Sequence, residues 1–245
     1  KADANEPYVG EDGRVVLIPA VAEELKVFGG SGLLAASMDE EVGGMSLPYS
    51  ITSAIFSWLH ASNVGTAAYP MLTAGATNLL IANGSQEQID TWVEPLIEGR
   101  FFGTMCLSET QAGSSLSDVS TKAVPQDDGT YRITGNKMWI SGGDHELSEN
   151  IVHLVLAKLP DAPPGVKGIS LFIVPRFLLE EDGSIGERND VVLAGLDRYP
   201  HRLGRLGLGR EQQPDLAGFA SGRLGGGVDP PVHFVEGAMG IDRVS

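Results

Sequence analysis

Two short stretches combine residue types that can hold a ligand. Residues 105–114, Met-Cys-Leu-Ser-Glu-Thr-Gln-Ala-Gly-Ser, read as a strand that runs into a small, hydroxyl-rich loop. Ser108 and Ser114 offer hydroxyls that can donate or accept hydrogen bonds, and Gly113, without a Cβ, lets the backbone approach a ligand. Residues 135–143, Gly-Asn-Lys-Met-Trp-Ile-Ser-Gly-Gly, read as a hairpin arm that carries Trp139 between Lys137 and Ser141. Taken singly, each segment has a plain structural meaning: Trp139 is a core aromatic, Ser108 a strand-end hydroxyl, and Gly142 with Gly143 a turn. What these residue types allow is ligand holding through hydroxyls and accessible backbone.

Other chemistries lack their residues. There is no G-x-x-x-x-G-K-[ST], and Gly204, Gly207 and Gly209 run in the wrong order for G-x-G-x-x-G, outside any strand-turn-helix setting. The 5 histidines include no pair at metal-binding helical spacing, and the single cysteine, Cys106, removes thiolate zinc sites, so no metal is expected. No G-x-S-x-G marks a hydrolase nucleophile. The acidic runs at 39–41 and 180–182 are most simply solvated surface.

Composition bounds the class. The 245 residues are 42% hydrophobic and 20% charged, as in ordinary globular proteins. A net charge of −15 would repel phosphate backbones and anionic lipids, which argues against nucleic-acid binding. One cysteine cannot make an intrachain disulfide, so the default expectation is a cytoplasmic setting. The chain starts at Lys1 with neither an initiator Met nor an apolar signal core, and that start reads as a cut. No Asp, Glu, Lys or Arg lies between Glu41 and Glu87. That stretch is interrupted by Pro48, Ser50, Ser53, His60, Asn63, Pro70 and Asn78, so buried helices are expected there rather than a membrane span.

The elements that must position the two segments follow from periodicity. Ile51, Ala54, Ile55, Trp58 and Leu59 form a helical stripe, which predicts a helix over 50–63. Leu72, Gly75, Ala76, Leu79 and Leu80 repeat the spacing, with Asn83 and Gly84 as a stop. Ser85-Gln-Glu-Gln88 has the form of a capping box before a third helix, which Pro95 should break or kink. A weaker helix lies around 21–28. From residue 101 the pattern changes to short β-prone runs at 101–108, 120–125, 130–134, 137–141, 150–159 and 168–175, separated by turn residues. The expected fold class is α+β, with an N-terminal helical domain over 1–100 followed by a small antiparallel β-barrel or sandwich over 101–197.

Residues 198–245 differ from the rest. They hold 6 of the 11 Arg, none of the 6 Lys and 10 of the 32 Gly, with no sustained helical or strand period. They read as an irregular Gly/Arg-rich tail, of the kind that out-of-frame translation of a GC-rich gene would produce.

Together, the two segments resemble the first and second flavin-binding segments of the acyl-CoA dehydrogenases. The likeness extends to the Asp39-Glu-Glu-Val-Gly-Gly-Met run, the helix over 85–100 and the Gly168-Ile-Ser-Leu-Phe-Ile-Val-Pro-Arg run. Residues 144–153 and 159–168 are most similar to the bacterial branch that includes 3-methylmercaptopropionyl-CoA dehydrogenases. The resemblance covers about residues 20–197.

This resemblance implies an FAD-dependent oxidoreductase that removes two hydrogens across Cα–Cβ of an acyl-CoA thioester. It implies an electron acceptor such as electron-transfer flavoprotein and a homo-oligomer in the full-length form. By resemblance Met105, Cys106, Leu107, Ser108, Gly113 and Ser114 form the first cofactor segment, with Leu107 and Ser108 at the flavin's pyrimidine edge. Trp139, Ile140 and Ser141 lie on the N5 side, and Ser114 faces the pantetheine or CoA part of the substrate. The family often has Pro where this chain has Thr110 and Asp where it has Ser115. Its C-terminal four-helix domain, which supplies the catalytic Glu, has no counterpart after about residue 197, so no catalytic base is assigned. A non-catalytic module that binds FAD or acyl-CoA is the alternative expectation.

Overall fold

A computed structural model of the chain describes residues 5, 7–12, 14–196, 204–208 and 239–240. A two-residue hairpin, β1 (Tyr8–Val9) with β2 (Val15–Val16), precedes the first helix. These strands are too short to leave a period in the sequence, so the expectation of an all-helical start is corrected there. Helix α1 (Pro19–Gly30) has proline at its first position, where a missing N–H costs nothing.

Helix α2 (Tyr49–Asn83) is two helices joined at Asn63, whose φ −160° and ψ 95° are extended. The Asn63 Oδ1 accepts from the Thr66 amide at 3.3 Å, so one residue closes the first helix and caps the second. Two helices were expected on either side of this point. Helix α3 (Gln86–Ile97) begins with the anticipated capping box: the Gln88 amide donates to Ser85 Oγ at 3.2 Å and the Ser85 amide to Gln88 Oε1 at 2.9 Å. Pro95 does not end α3, which continues to Ile97. It sits in the last turn, where the loss of one N–H interrupts only a single hydrogen bond.

The period then changes from 3.6 to 2. Strands β3 (Phe101–Cys106), β4 (Lys122–Pro125), β5 (Tyr131–Ile140), β6 (Asn150–Lys158) and β7 (Ile169–Pro175) build the main sheet. A small hairpin follows, β8 (Phe177–Leu179) with β9 (Ile185–Arg188), and then β10 (Val191–Leu196). Within the expected tail, β11 (Gly204–Leu208) pairs with β5 and β10, and β12 (Met239–Gly240) pairs with β7. Those two pieces are strands although no strand period marks them; the rest of the tail lies outside the described residues.

The sheet order is β10-β11-β5-β4-β6-β7-β12, with β3 alongside β6. Two expectations change. The sheet is mixed rather than antiparallel, because β3 runs parallel to β6 from Phe101↔Asn150 to Cys106↔Val155, and β4 also meets β6 in parallel. It does not close into a barrel among the described residues. The reason lies in β6, a near-continuous apolar run buried on both faces, as parallel strands are. Its Val152 and Leu154 join the helical core with Leu34, Leu80, Trp92, Leu96 and Phe101. Its Val155 and Ala157 join a second core with Cys106, Ile133, Ile140 and Phe172. No helix of the described residues is long and apolar enough to cross a membrane.

Candidate functional site

Strand β3 carries the first segment out of the core. Its side chains alternate: Met105 packs against the helical core, and Cys106 is fully buried in the second one. Burial pushes the Cys106 thiol up to about 12, so this residue can serve a ligand through its backbone alone. Leu107 and Ser108 then emerge half-buried, and Gly113 and Ser114 are exposed in the following loop. A side chain on Gly113 would meet nothing within 4 Å.

The structure brings the two segments together. The Met138 amide donates to the Ser108 carbonyl at 2.9 Å, and Lys137 Nζ donates to the Leu107 carbonyl at 3.2 Å. At that junction β5 bulges against β11, with Gly204 opposite Ile140 and Leu206 opposite Lys137. The bulge places Trp139 at φ 63°, a left-handed conformation that a bulky residue adopts only under constraint from its surroundings, and leaves it 43% exposed. Ile140 is buried and Ser141 half-buried. Among the described residues, the hydroxyls of Ser108, Ser114 and Ser141 make no hydrogen bond. The arrangement therefore offers unpaired hydroxyls, accessible backbone and a held aromatic ring, which fits a planar ligand with a polar edge.

One feature of the site was not anticipated. Glu109, at 2% side-chain exposure, lies 2.7 Å from Lys137, at 0%. Its Oε1 also accepts from the Thr121 amide at 3.1 Å and hydroxyl at 2.6 Å. Its Oε2 accepts from the Ser120 amide at 2.7 Å, the Ser120 hydroxyl at 2.6 Å and Gln111 Nε2 at 2.6 Å. Burial disfavours the Glu109 charge, but the bonds from Lys137, Ser120 and Thr121 outweigh it and hold the carboxyl at about 2. Burial pulls the Lys137 amine down from its usual value, and Glu109 opposes that pull. Glu109 and Lys137 are far apart in sequence and ordinary in type, so no local pattern pairs them.

Past Ser141 the chain turns at Gly142, φ 65°, where a Cβ would come within 3.2 Å of the Tyr69 ring. It then enters a second buried polar cluster. The Arg176 guanidinium, at the end of β7, donates to the His145 carbonyl and to the Glu146 carboxylate, and its Nε lies 3.4 Å from Asp144. The His145 ring packs edge-on against Tyr69 and Phe102. Near it, His153 Nδ1 shares a 2.7 Å hydrogen bond with Thr104 Oγ1. Burial together with the positive Arg176 lowers both imidazoles to about 3, so they are neutral near pH 7. Among the described residues no group of three His, Cys, Asp or Glu could hold a metal ion.

The model of the acyl-CoA dehydrogenase N-terminal domain matches residues 8–100, and that of the middle domain matches residues 104–195. The chain is 45% identical over 194 residues to 3-methylmercaptopropionyl-CoA dehydrogenase of Ruegeria pomeroyi, covering 79% of this chain and 32% of that protein. It is 32% identical to a broad-specificity linear acyl-CoA dehydrogenase of Mycobacterium tuberculosis, over 97% of this chain and 40% of that protein. That alignment runs into residues 198–245, where no family-like continuation was expected. The chain thus spans about a third of the length of the curated relatives it matches. Among solved structures, butyryl-CoA dehydrogenase from Megasphaera elsdenii superposes with a TM-score of 0.61 at 23% identity, covering 76% of this chain and 46% of that one. Glutaryl-CoA dehydrogenase from Mycobacterium smegmatis, solved in complex with FADH2, gives 0.58 at 22% identity, covering 80% and 46%. Matched in order by an N-terminal and a middle domain model over most of its length, the chain belongs to the acyl-CoA dehydrogenase family.

Proposed function

We propose that this chain forms the flavin seat and part of the thioester-binding wall of an FAD-dependent acyl-CoA dehydrogenase. The observation that carries the reading is the hydrogen bond from the Met138 amide to the Ser108 carbonyl, which joins the two family-like segments with their serine hydroxyls unpaired among the described residues. The backbone of Leu107 and Ser108, with the Ser108 hydroxyl, holds the pyrimidine edge of the isoalloxazine. Ser141 sits on the N5 side, with Trp139 and Ile140 behind it, and Ser114 faces the pantetheine. FAD, when bound, would supply the redox chemistry of removing two hydrogens across Cα–Cβ of the thioester. The residues of this chain hold ring and thioester in register, which matters because misplacement by about 1 Å can cost about 100-fold in rate.

The α-proton base is not placed among the described residues. Of their buried carboxylates, Glu109 is held at about 2 by six donors and is too weak a base. Asp144 is turned to Arg176. This favours a second reading, in which the chain by itself binds FAD or acyl-CoA without turning over. The electron acceptor in the first reading is electron-transfer flavoprotein or a similar carrier, and the setting is cytoplasmic.

Titrating the purified chain with FAD and then with a saturated acyl-CoA tests both readings. Flavin that binds and is bleached by the acyl-CoA supports dehydrogenation. Flavin that binds and stays oxidised supports the binding module. A folded chain that binds neither flavin nor acyl-CoA overturns both.

A further inference from the structure

We infer that Lys137 is a positioning residue for the flavin seat, its ammonium acting as a two-way tie between the Leu107 carbonyl and the Glu109 carboxylate. The inference rests on the flavin reading above and adds a residue to it. Lys137 is fully buried, and its Nζ reaches Leu107 O at 3.2 Å and Glu109 Oε1 at 2.7 Å. The next amide along β5, that of Met138, holds Ser108 O. The consecutive carbonyls of Leu107 and Ser108 are therefore each fixed from β5, one through a side chain and the next through the backbone. Register between the two segments depends on both ties.

The two ends of the ion pair are not equivalent. Without Lys137, Glu109 keeps five donors, from Ser120, Thr121 and Gln111. It remains a solvated-like carboxylate in a cage of hydrogen bonds. The Leu107 carbonyl, in contrast, loses its tie to β5. Loss of Lys137 should thus fall more heavily on the geometry of residues 107–108 than on the fold. Loss of Glu109 alone strands a buried cation and should fall on the fold, because an uncompensated buried charge is strongly destabilising.

The test measures FAD affinity and urea midpoint side by side in the full chain and four variants, Glu109→Gln among them. Lys137→Met is expected to stay folded by far-UV circular dichroism and to bind FAD roughly tenfold more weakly or worse, the scale of one charge-assisted hydrogen bond. Glu109→Gln/Lys137→Met leaves no buried charge at this site, since replacing both partners removes the desolvation penalty. It should recover midpoint relative to Glu109→Gln yet keep the weak FAD affinity. Thr121→Val removes one donor to Glu109 without touching the tie to Leu107, and should lose midpoint but not affinity. If affinity simply tracks midpoint across the variants, or if the double variant binds FAD as the parent does, Lys137 is only structural and the inference is wrong. Should Lys137→Met not fold, the double variant decides alone. A parent chain that does not bind FAD refutes the flavin reading instead, a result that no variant can mimic.

Discussion

The Gly103 amide donates to the Thr73 hydroxyl at 3.1 Å, tying the start of the sheet to the middle of α2. Helix and strand approach so closely that a Cβ on Gly103 would lie 2.5 Å from the Ala76 Cβ and 3.3 Å from the Thr73 Cα. Backbone, unlike the end of a flexible side chain, cannot swing away. Gly103→Ala should therefore lower unfolding free energy by about 1–3 kcal/mol, the usual cost of overpacking. Thr73→Val keeps the close approach but loses both hydrogen bonds of the Thr73 hydroxyl, the one from the Gly103 amide and the one it donates to the Tyr69 carbonyl. It leaves the buried Gly103 amide unpaired, at about 1–3 kcal/mol. Urea denaturation of both variants checks the two losses.

Ser85→Ala removes the accepting half of the α3 capping box and should cost about 1 kcal/mol. The loss should appear as a lower urea midpoint at unchanged slope, because α3 is packed on the core through Trp92, Val93 and Leu96 and will not unfold separately.

Trp139 stores backbone strain at an exposed site. Trp139→Gly releases the left-handed φ, which for a non-glycine residue costs on the order of 1–3 kcal/mol, but forfeits the burial of more than half of a large side chain, so the two effects oppose each other. The flavin-free variant is expected to stay within about 2 kcal/mol of the parent. Its FAD affinity should fall. Calorimetry and flavin fluorescence titration read the two quantities, and undiminished affinity would remove Trp139 from the seat.

Acid should destabilise the protein before its carboxylates titrate. His145 and His153 are lowered from 6.5 to about 3 in the fold by burial and by Arg176. The unfolded chain therefore binds more protons between these values, and stability rises with pH from about 3 to about 6.5 and is lost on the way down. With two such groups the slope approaches about 2.7 kcal/mol per pH unit. Glu109, lowered from 4.5 to about 2, adds a further loss as pH falls between those values. His153→Gln should remove about half of the upper slope in a pH series of urea midpoints. An unchanged slope would mean that His153 is not buried neutral.

The sequence made the helices legible because each carries its own period and its own ends: the stripe from Ile51 to Leu59, the break at Asn63 and the capping box at Ser85 are all local signals. It did not reveal that β6 takes β3 as a parallel neighbour. The run at 150–158 is apolar on both faces and so is compatible with several partners, and register between distant strands has no local mark. The two flavin-like segments stood out as motifs, but their contact through Met138 and Ser108 needed the fold. The Glu109–Lys137 pair was invisible for the same reason: burial, not type, makes a Glu and a Lys into a tie. Strands β8 to β10 are short and interrupted by Asp182 and Gly183, which hid them among turn signals.

Amide hydrogen exchange on the chain with and without saturating FAD tests the central claim most directly. The account predicts new protection over residues 105–114 and 137–143, with α1 and the β8–β9 hairpin unchanged. Protection that falls elsewhere while these two segments exchange as before would contradict it.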